Sequence, residues 1–216
     1  MRTMLPRRVA VAGAQLRMLV LAADTGGCVG VDMESGAFVR AVFPGDADGL
    51  APYDVAVGEI TEPSEPVDQS RPESVTLTRP PRRTGAVTPR RAERWLEPLQ
   101  HPRRGALLGF PGRAVPYWTL AGDRPSLTLV ELATGPQVRQ GPFGYECRYT
   151  WQAARHQLPL LDQRARARFD EVGWPRYSAR DVQHLLGHRV RRVLVVLTPP
   201  HQGYCYKVVA SLLPAG

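Results

Sequence analysis

With 21 prolines and 20 glycines spread through 216 residues, this chain is interrupted too often to sustain long helices. A proline inside a helix removes a hydrogen bond and clashes with the preceding turn, at a cost of about 3 kcal/mol. Such punctuation allows many short elements joined by turns, and the apolar runs between the turns have the length and alternation of strands. The expected class is mainly β, with a few short helices. At this length the chain suits one large or two small domains, each able to bury a core.

Two β-rich blocks follow from the spacing of those runs. The first holds Met18–Ala22, Cys28–Met33, Ala37–Phe43, Asp54–Ile60 and Val75–Thr78, and Ser35-Gly36 between alternating runs is a tight-hairpin signal. Residues 79–88 are rich in arginine and proline, too polar for a core and suited to a linker. Thr88-Pro89 then opens a helix through Glu97, with threonine as the cap and proline in the first turn. In the second block the expected strands are Ala106–Phe110, Ser126–Leu132, Tyr145–Trp151, Gln157–Leu161, Val190–Leu197 and Cys205–Leu212. Between them lie a short helix from Asp162 to about Glu171 and a second one, with Ser178 and Asp181 as a capping box and Gly187 as its stop. Short strands with small helices, in two successive blocks, predict two OB-like Greek-key barrels. The expected organisation is an N-terminal extension over 1–16, a first barrel over 17–78, the linker over 79–88 and a second barrel with helical insertions over 89–216.

Charge narrows the partner. The net charge is +8 and the isoelectric point near 10, and of the 28 basic residues 27 are arginine. Residues 1–78 carry six arginines against eleven acids, a net −5, whereas the remainder carries 22 basic residues against nine acids, a net +13. Only the second part has the balance to grip a phosphate backbone, which makes nucleic acid the first partner to consider. The basic and apolar N-terminal stretch is interrupted by Gln15 and Arg17, unlike a secretory leader, and no apolar segment reaches the roughly 18 residues of a membrane span. Cys28, Cys147 and Cys205 are an odd set far apart in sequence, which fits reduced thiols and a cytoplasmic setting.

Lys207 is the single lysine, retained where arginine is used everywhere else. A compact ammonium and a planar guanidinium are not interchangeable, so Lys207 is expected to point into a groove or an ion pair. Strand alternation puts Tyr204 and Tyr206 on one face of its segment and Cys205 and Lys207 on the other. Tyr149, Trp151, Tyr204 and Tyr206 are candidates for base stacking, although aromatic side chains on a barrel strand also serve as core. Arg40, Arg148 and Lys207 are the candidate cationic contacts.

Other chemistry has weaker signals. His201-x-x-x-Cys205 and His184-x-x-x-His188 have ligand-like spacing, but His188 falls beyond the Gly187 helix stop and there is no Cys-x-x-Cys pair. Asp32 with Glu34, and Asp46 with Asp48, lie in turns where acids are common. A nucleophilic Cys28 or Cys205 requires a neighbouring histidine base, and both cysteines alternate with apolar residues like buried structural thiols. No phosphate-cradling glycine loop and no nucleophile elbow occur, and no cofactor is expected.

These motifs together resemble those of bacterial proteins described as containing a dual OB domain. The similarity rests on Gly26-Gly27-Cys28 (one residue shorter than the family pattern), Ser35-Gly36-Ala37-Phe38-Val39-Arg40, Pro72-Glu73, Arg148-Tyr149-Thr150-Trp151, Leu158–Asp162 and, most specifically, Gly203-Tyr204-Cys205-Tyr206-Lys207, over about residues 17–212. The resemblance implies two OB-type barrels and a nucleic-acid role, and brings no catalytic activity with it. The expectation is a non-catalytic protein that binds single-stranded or structured RNA or DNA. A protein-interaction adaptor with one acidic and one basic domain is the alternative, followed by a nuclease or nucleotide-processing enzyme using Lys207 with nearby acids.

Overall fold

The structure is a computed structural model that describes residues 11–47, 49–62, 68, 70–102, 104–120 and 124–215. The first ten residues of the expected N-terminal extension, and Asp48, lie outside the described residues. The chain is mainly β with three short helices, as its proline and glycine content predicts. It divides into two units, one reaching Leu99 and including Leu120–Ser126, the other comprising Gln100–Thr119 and Leu127–Ala215.

The first unit is built from β1 (Gln15–Asp24), β2 (Gly27–Asp32), β3 (Phe38–Val42), β4 (Asp54–Thr61), β5 (Ser74–Leu77) and β6 (Arg82–Ala86), followed by α1 (Pro89–Leu96). Its strands run in the order β1-β2-β3-β5-β4, and β1 pairs again with β4, closing a five-stranded barrel. The β3–β5 pair is parallel and the others antiparallel, an OB-like Greek-key closure. Alternate residues fill the interior: Leu16, Met18 and Val20 from β1 meet Val39, Ala41, Ala56, Ile60, Val75 and Leu77. Gly30 is required on β2, because a Cβ there would lie 2.3 Å from the Leu19 carbonyl oxygen of the neighbouring strand.

The segment read as a linker supplies a sixth strand. Arg82–Ala86 pairs with β4, Arg83 bonds Asp54 at 2.8 Å, and the Thr84 hydroxyl donates to the Val55 carbonyl. Its exposed, arginine-rich side chains are those of an edge strand, where charge discourages pairing with another chain. α1 starts as expected, with Thr88 capping the Arg91 N–H and Pro89 at the first position, and buries Ala92 and Leu96.

The second unit contains β7 (Ala114–Pro116), β8 (Leu127–Glu131), β9 (Gln137–Gly141), β10 (Gly144–Trp151), β11 (Ala154–Pro159), α2 (Gln163–Val172), β12 (Arg176–Tyr177), α3 (Ala179–Leu186), β13 (Val190–Leu197) and β14 (Tyr204–Pro214). One sheet has the order β7-β14-β13-β8 and another β11-β10-β9-β12, giving a curled half-barrel. The sheets meet where Leu161 N–H donates to the Val209 carbonyl at 2.8 Å and Leu212 N–H to the Asp162 carboxylate at 2.9 Å. Asp162 also caps α2, and Ser178 and Asp181 form the expected capping box of α3, which ends at left-handed Gly187. Residues 106–110, expected as a strand, form a tight turn around Leu107–Gly109, in which Leu108 and Gly109 adopt φ of 55° and 80°, values that an extended strand does not allow. Leu107 and Leu108 are buried beneath that loop.

Candidate functional site

The β13–β14 hairpin presents the terminal motif. Gln202 and Gly203 both have positive φ, and His201 and Tyr204 exchange backbone hydrogen bonds at 2.8 and 3.0 Å, a two-residue turn of the primed type that matches strand twist. Beyond the turn, alternation divides the motif. Tyr204 and Tyr206 are 39% and 37% exposed, whereas Cys205 and Lys207 are buried. Trp118, 70% exposed, meets Tyr204 edge-on with ring centroids 5.6 Å apart. Trp118, Tyr204 and Tyr206 thus face outward beside this turn; of these, Trp118 carries no local sequence pattern that marks it.

Lys207 is 1% exposed, in agreement with the expectation that it avoids open solvent. Its partners are backbone carbonyls: Nζ donates to Phe110 O and, at 2.9 Å, to Gly112 O. The ammonium therefore staples the loop 106–113 to β14, a task for a compact donor at the end of a thin stem. Burial lowers its pKa to about 8. No carboxylate contacts Lys207 among the described residues.

Beside Lys207 lies a pocket of about 850 Å³. Its walls are the loop 106–113, Thr134-Gly135, Gln137, and residues 148–150 and 155–158 of the β10–β11 hairpin. Arg113, Arg148, Arg155 and Lys207 line it, and no aspartate or glutamate does among the described residues. Glu146 lies nearby but is committed to Arg139 and to the Gln157 amide, each at 2.6 Å. Burial works to raise the Glu146 carboxyl, but the hydrogen bonds from Gln157 and Arg139 outweigh it and hold it below the usual carboxylate range. Gln157 accepts in turn from Arg148 Nε at 3.0 Å. That relay orients the Arg148 guanidinium before any ligand arrives.

The packed face of β10 behaves differently from its polar face. Tyr145, Cys147, Tyr149 and Trp151 are buried, while Glu146, Arg148 and Thr150 alternate with them. Tyr149 stacks on His156 at 5.3 Å with rings 12° apart, and Trp151 meets His101 edge-on at 4.8 Å. Burial, joined by the charge of Lys207, lowers the pKa of both histidines and favours neutral rings. The Tyr149 hydroxyl is buried without a hydrogen-bond partner. Tyr149 and Trp151 are therefore enclosed by protein, whereas Tyr204 and Tyr206 remain accessible. The β10–β11 turn is also strained, with non-glycine Gln152 and Ala153 at φ of 52° and 60°.

Arg40 stands apart in the first unit. It lies 3.6 Å from the Glu73 carboxylate, and one of its terminal nitrogens donates to the Ser126 hydroxyl at 3.3 Å. Glu73 also accepts from the Ser126 hydroxyl and backbone N–H. No group of three or more metal-ligating side chains assembles among the described residues, and no described helix is long and apolar enough to cross a membrane. Cys28, Cys147 and Cys205 are buried free thiols, and burial pushes Cys28 up to about 12, unfavourable to thiolate chemistry. No protein-family model, curated protein or solved structure matches this chain.

Proposed function

We propose that the protein binds nucleic acid without catalysis of its own, through the second unit, as a member of the dual OB domain group and in the cytoplasm. The carrying observation is a pocket with four cationic side chains and no lining carboxylate among the described residues, on the same half-barrel that exposes Trp118, Tyr204 and Tyr206. Cations that track phosphate and aromatic faces that stack on bases are the two elements of single-strand recognition. The partners of Lys207 favour this reading over a nuclease, since its ammonium is spent on positioning a loop instead of meeting acids.

Fluorescence anisotropy with a mixed-sequence labelled single strand of DNA, its RNA equivalent and its duplex tests the proposal. Three phosphate contacts on a single strand, from Arg113, Arg148 and Arg155, give a slope near −2 in log affinity against log salt, so affinity falls roughly 20-fold between 50 and 200 mM salt. Absence of binding to all three at 50 mM salt overturns it.

A further inference from the structure

We infer that the second unit's pocket is a phosphomonoester site, accepting the doubly charged phosphate of a nucleic-acid end or of a free nucleotide. The inference rests on the nucleic-acid reading above and names the group that enters the pocket.

The argument begins with charge. Arg113, Arg148 and Arg155 line one pocket together with Lys207. The Arg155 side chain has no ion-pair or hydrogen-bond partner among the described residues, and Arg113 reaches Glu146 only at 4.0 Å. Cations that line one cavity attract an anion in proportion to its charge. An internal phosphodiester carries one negative charge, whereas a terminal phosphomonoester carries between about 1.5 and 2 at neutral pH and offers three acceptor oxygens. The dianion is therefore the ligand that this cluster distinguishes from an ordinary backbone phosphate.

Geometry supports the same conclusion. Arg148 and Gln157 pair directly across β10 and β11, and Arg155 lies on the same face, opposite Thr150. Arg148 is held from behind through Gln157 and Glu146, leaving its terminal nitrogens for a ligand. Preorganised guanidinium groups bind phosphate in paired hydrogen bonds, which adds geometric selection to charge. Lys207 is a positioning residue, because its bonds to Phe110 and Gly112 carbonyls set the opposite wall. A volume of about 850 Å³ lies within the range of small-molecule sites and admits a nucleotide.

The test uses the full chain and three versions of one labelled single strand, bearing a 5′-phosphate, a 3′-phosphate or hydroxyls at both ends, with adenosine monophosphate as the free nucleotide. At least one phosphorylated end should bind about tenfold tighter than the hydroxyl form. Arg148→Gln should abolish that preference, while Arg168→Gln, which removes an exposed charge paired with Glu171 on α2, should retain it. Adenosine monophosphate should raise the melting temperature of the wild type but not of Arg148→Gln, and competition with the phosphorylated strand separates a free-nucleotide site from a strand-end site. Equal affinity for all three strands, with no shift by the nucleotide, overturns the inference while leaving nucleic-acid binding intact. If no strand binds but the nucleotide stabilises only the protein with Arg148, the pocket assignment stands and the nucleic-acid reading falls.

Discussion

Arg40 of the first unit and Lys207 of the second are both strand cations largely withdrawn from solvent, and they are compensated in different ways. In the closed barrel, Arg40 is matched by a carboxylate, Glu73, and by the Ser126 hydroxyl. In the half-barrel, Lys207 is matched by two carbonyl dipoles and, among the described residues, by no opposite charge. The Arg40–Glu73 pair opposes charge with charge at 3.6 Å, although the buried Arg40 Nε makes no hydrogen bond among the described residues. An ammonium held by carbonyls keeps its positive charge uncancelled, and next to it three arginines line a cavity. On the proposed reading the surroundings of Lys207 serve recognition, whereas Arg40 is tied to Glu73 and Ser126 within the first unit.

The largest effect should come from splitting the matched pair. Glu73→Gln leaves the Arg40 guanidinium buried beside a neutral amide, and should cost about 3–5 kcal/mol of stability by urea denaturation. A loss below about 1 kcal/mol would mean that Arg40 is solvated and free to serve a ligand. Lys207→Met should cost less, about 1–2 kcal/mol, because it strands carbonyls and not a charge.

The Lys207 contrast also has a pH signature. Its folded pKa of about 8 lies below the ordinary value of about 10.5, so between those values the unfolded chain binds a proton that the folded chain does not. Stability from this group is therefore lowest below pH 8 and rises with pH across that window, by up to about 3 kcal/mol. Denaturation of wild type and Lys207→Met at pH 8 and 10.5 isolates the effect from tyrosine and cysteine titration. A constant difference between the two proteins would show that the ammonium is fully hydrated.

Aromatic residues sharpen the same contrast at smaller amplitude. Tyr206→Ala removes a 37% exposed ring and should weaken single-strand binding by about 1–3 kcal/mol, measured by anisotropy, with little change in melting temperature. Tyr149→Phe should do the reverse of a normal core polar deletion. Its buried hydroxyl has no partner, so its removal should leave stability within about 0.5 kcal/mol or raise it. A loss above about 1 kcal/mol in denaturation would mean that the hydroxyl has a partner in solution.

Much of the local structure was legible in the amino-acid order. The strand periodicity of the first block, the Thr88-Pro89 helix start, the Ser178/Asp181 capping box and the Gly187 stop all operate within a few residues. Alternation alone put Tyr204 and Tyr206 on one face and Lys207 on the other, and packing decided which face meets solvent. Arg82–Ala86 was different, because an edge strand keeps polar side chains and is recognisable only by the partner it pairs with. Residues 106–110 were apolar for a reason that strand reading does not capture: the loop turns Leu107 and Leu108 into the core through positive φ at Leu108 and Gly109.

The amino-acid sequence by itself determined the mainly β class, the local caps and turns, the charge asymmetry and the two faces of the terminal motif. These depend on neighbours in the chain, through steric limits and hydrogen bonds that close within a turn or alternate along a strand. Tertiary structure decided that Leu120–Ser126 belongs with the first unit, that Ser126 meets Arg40 and Glu73, that Tyr149 and Trp151 are enclosed, and that Arg113, Arg148, Arg155 and Lys207 surround one cavity. Those residues lie far apart in the chain, and only sheet pairing, which is nonlocal and set by shared burial, brings them together.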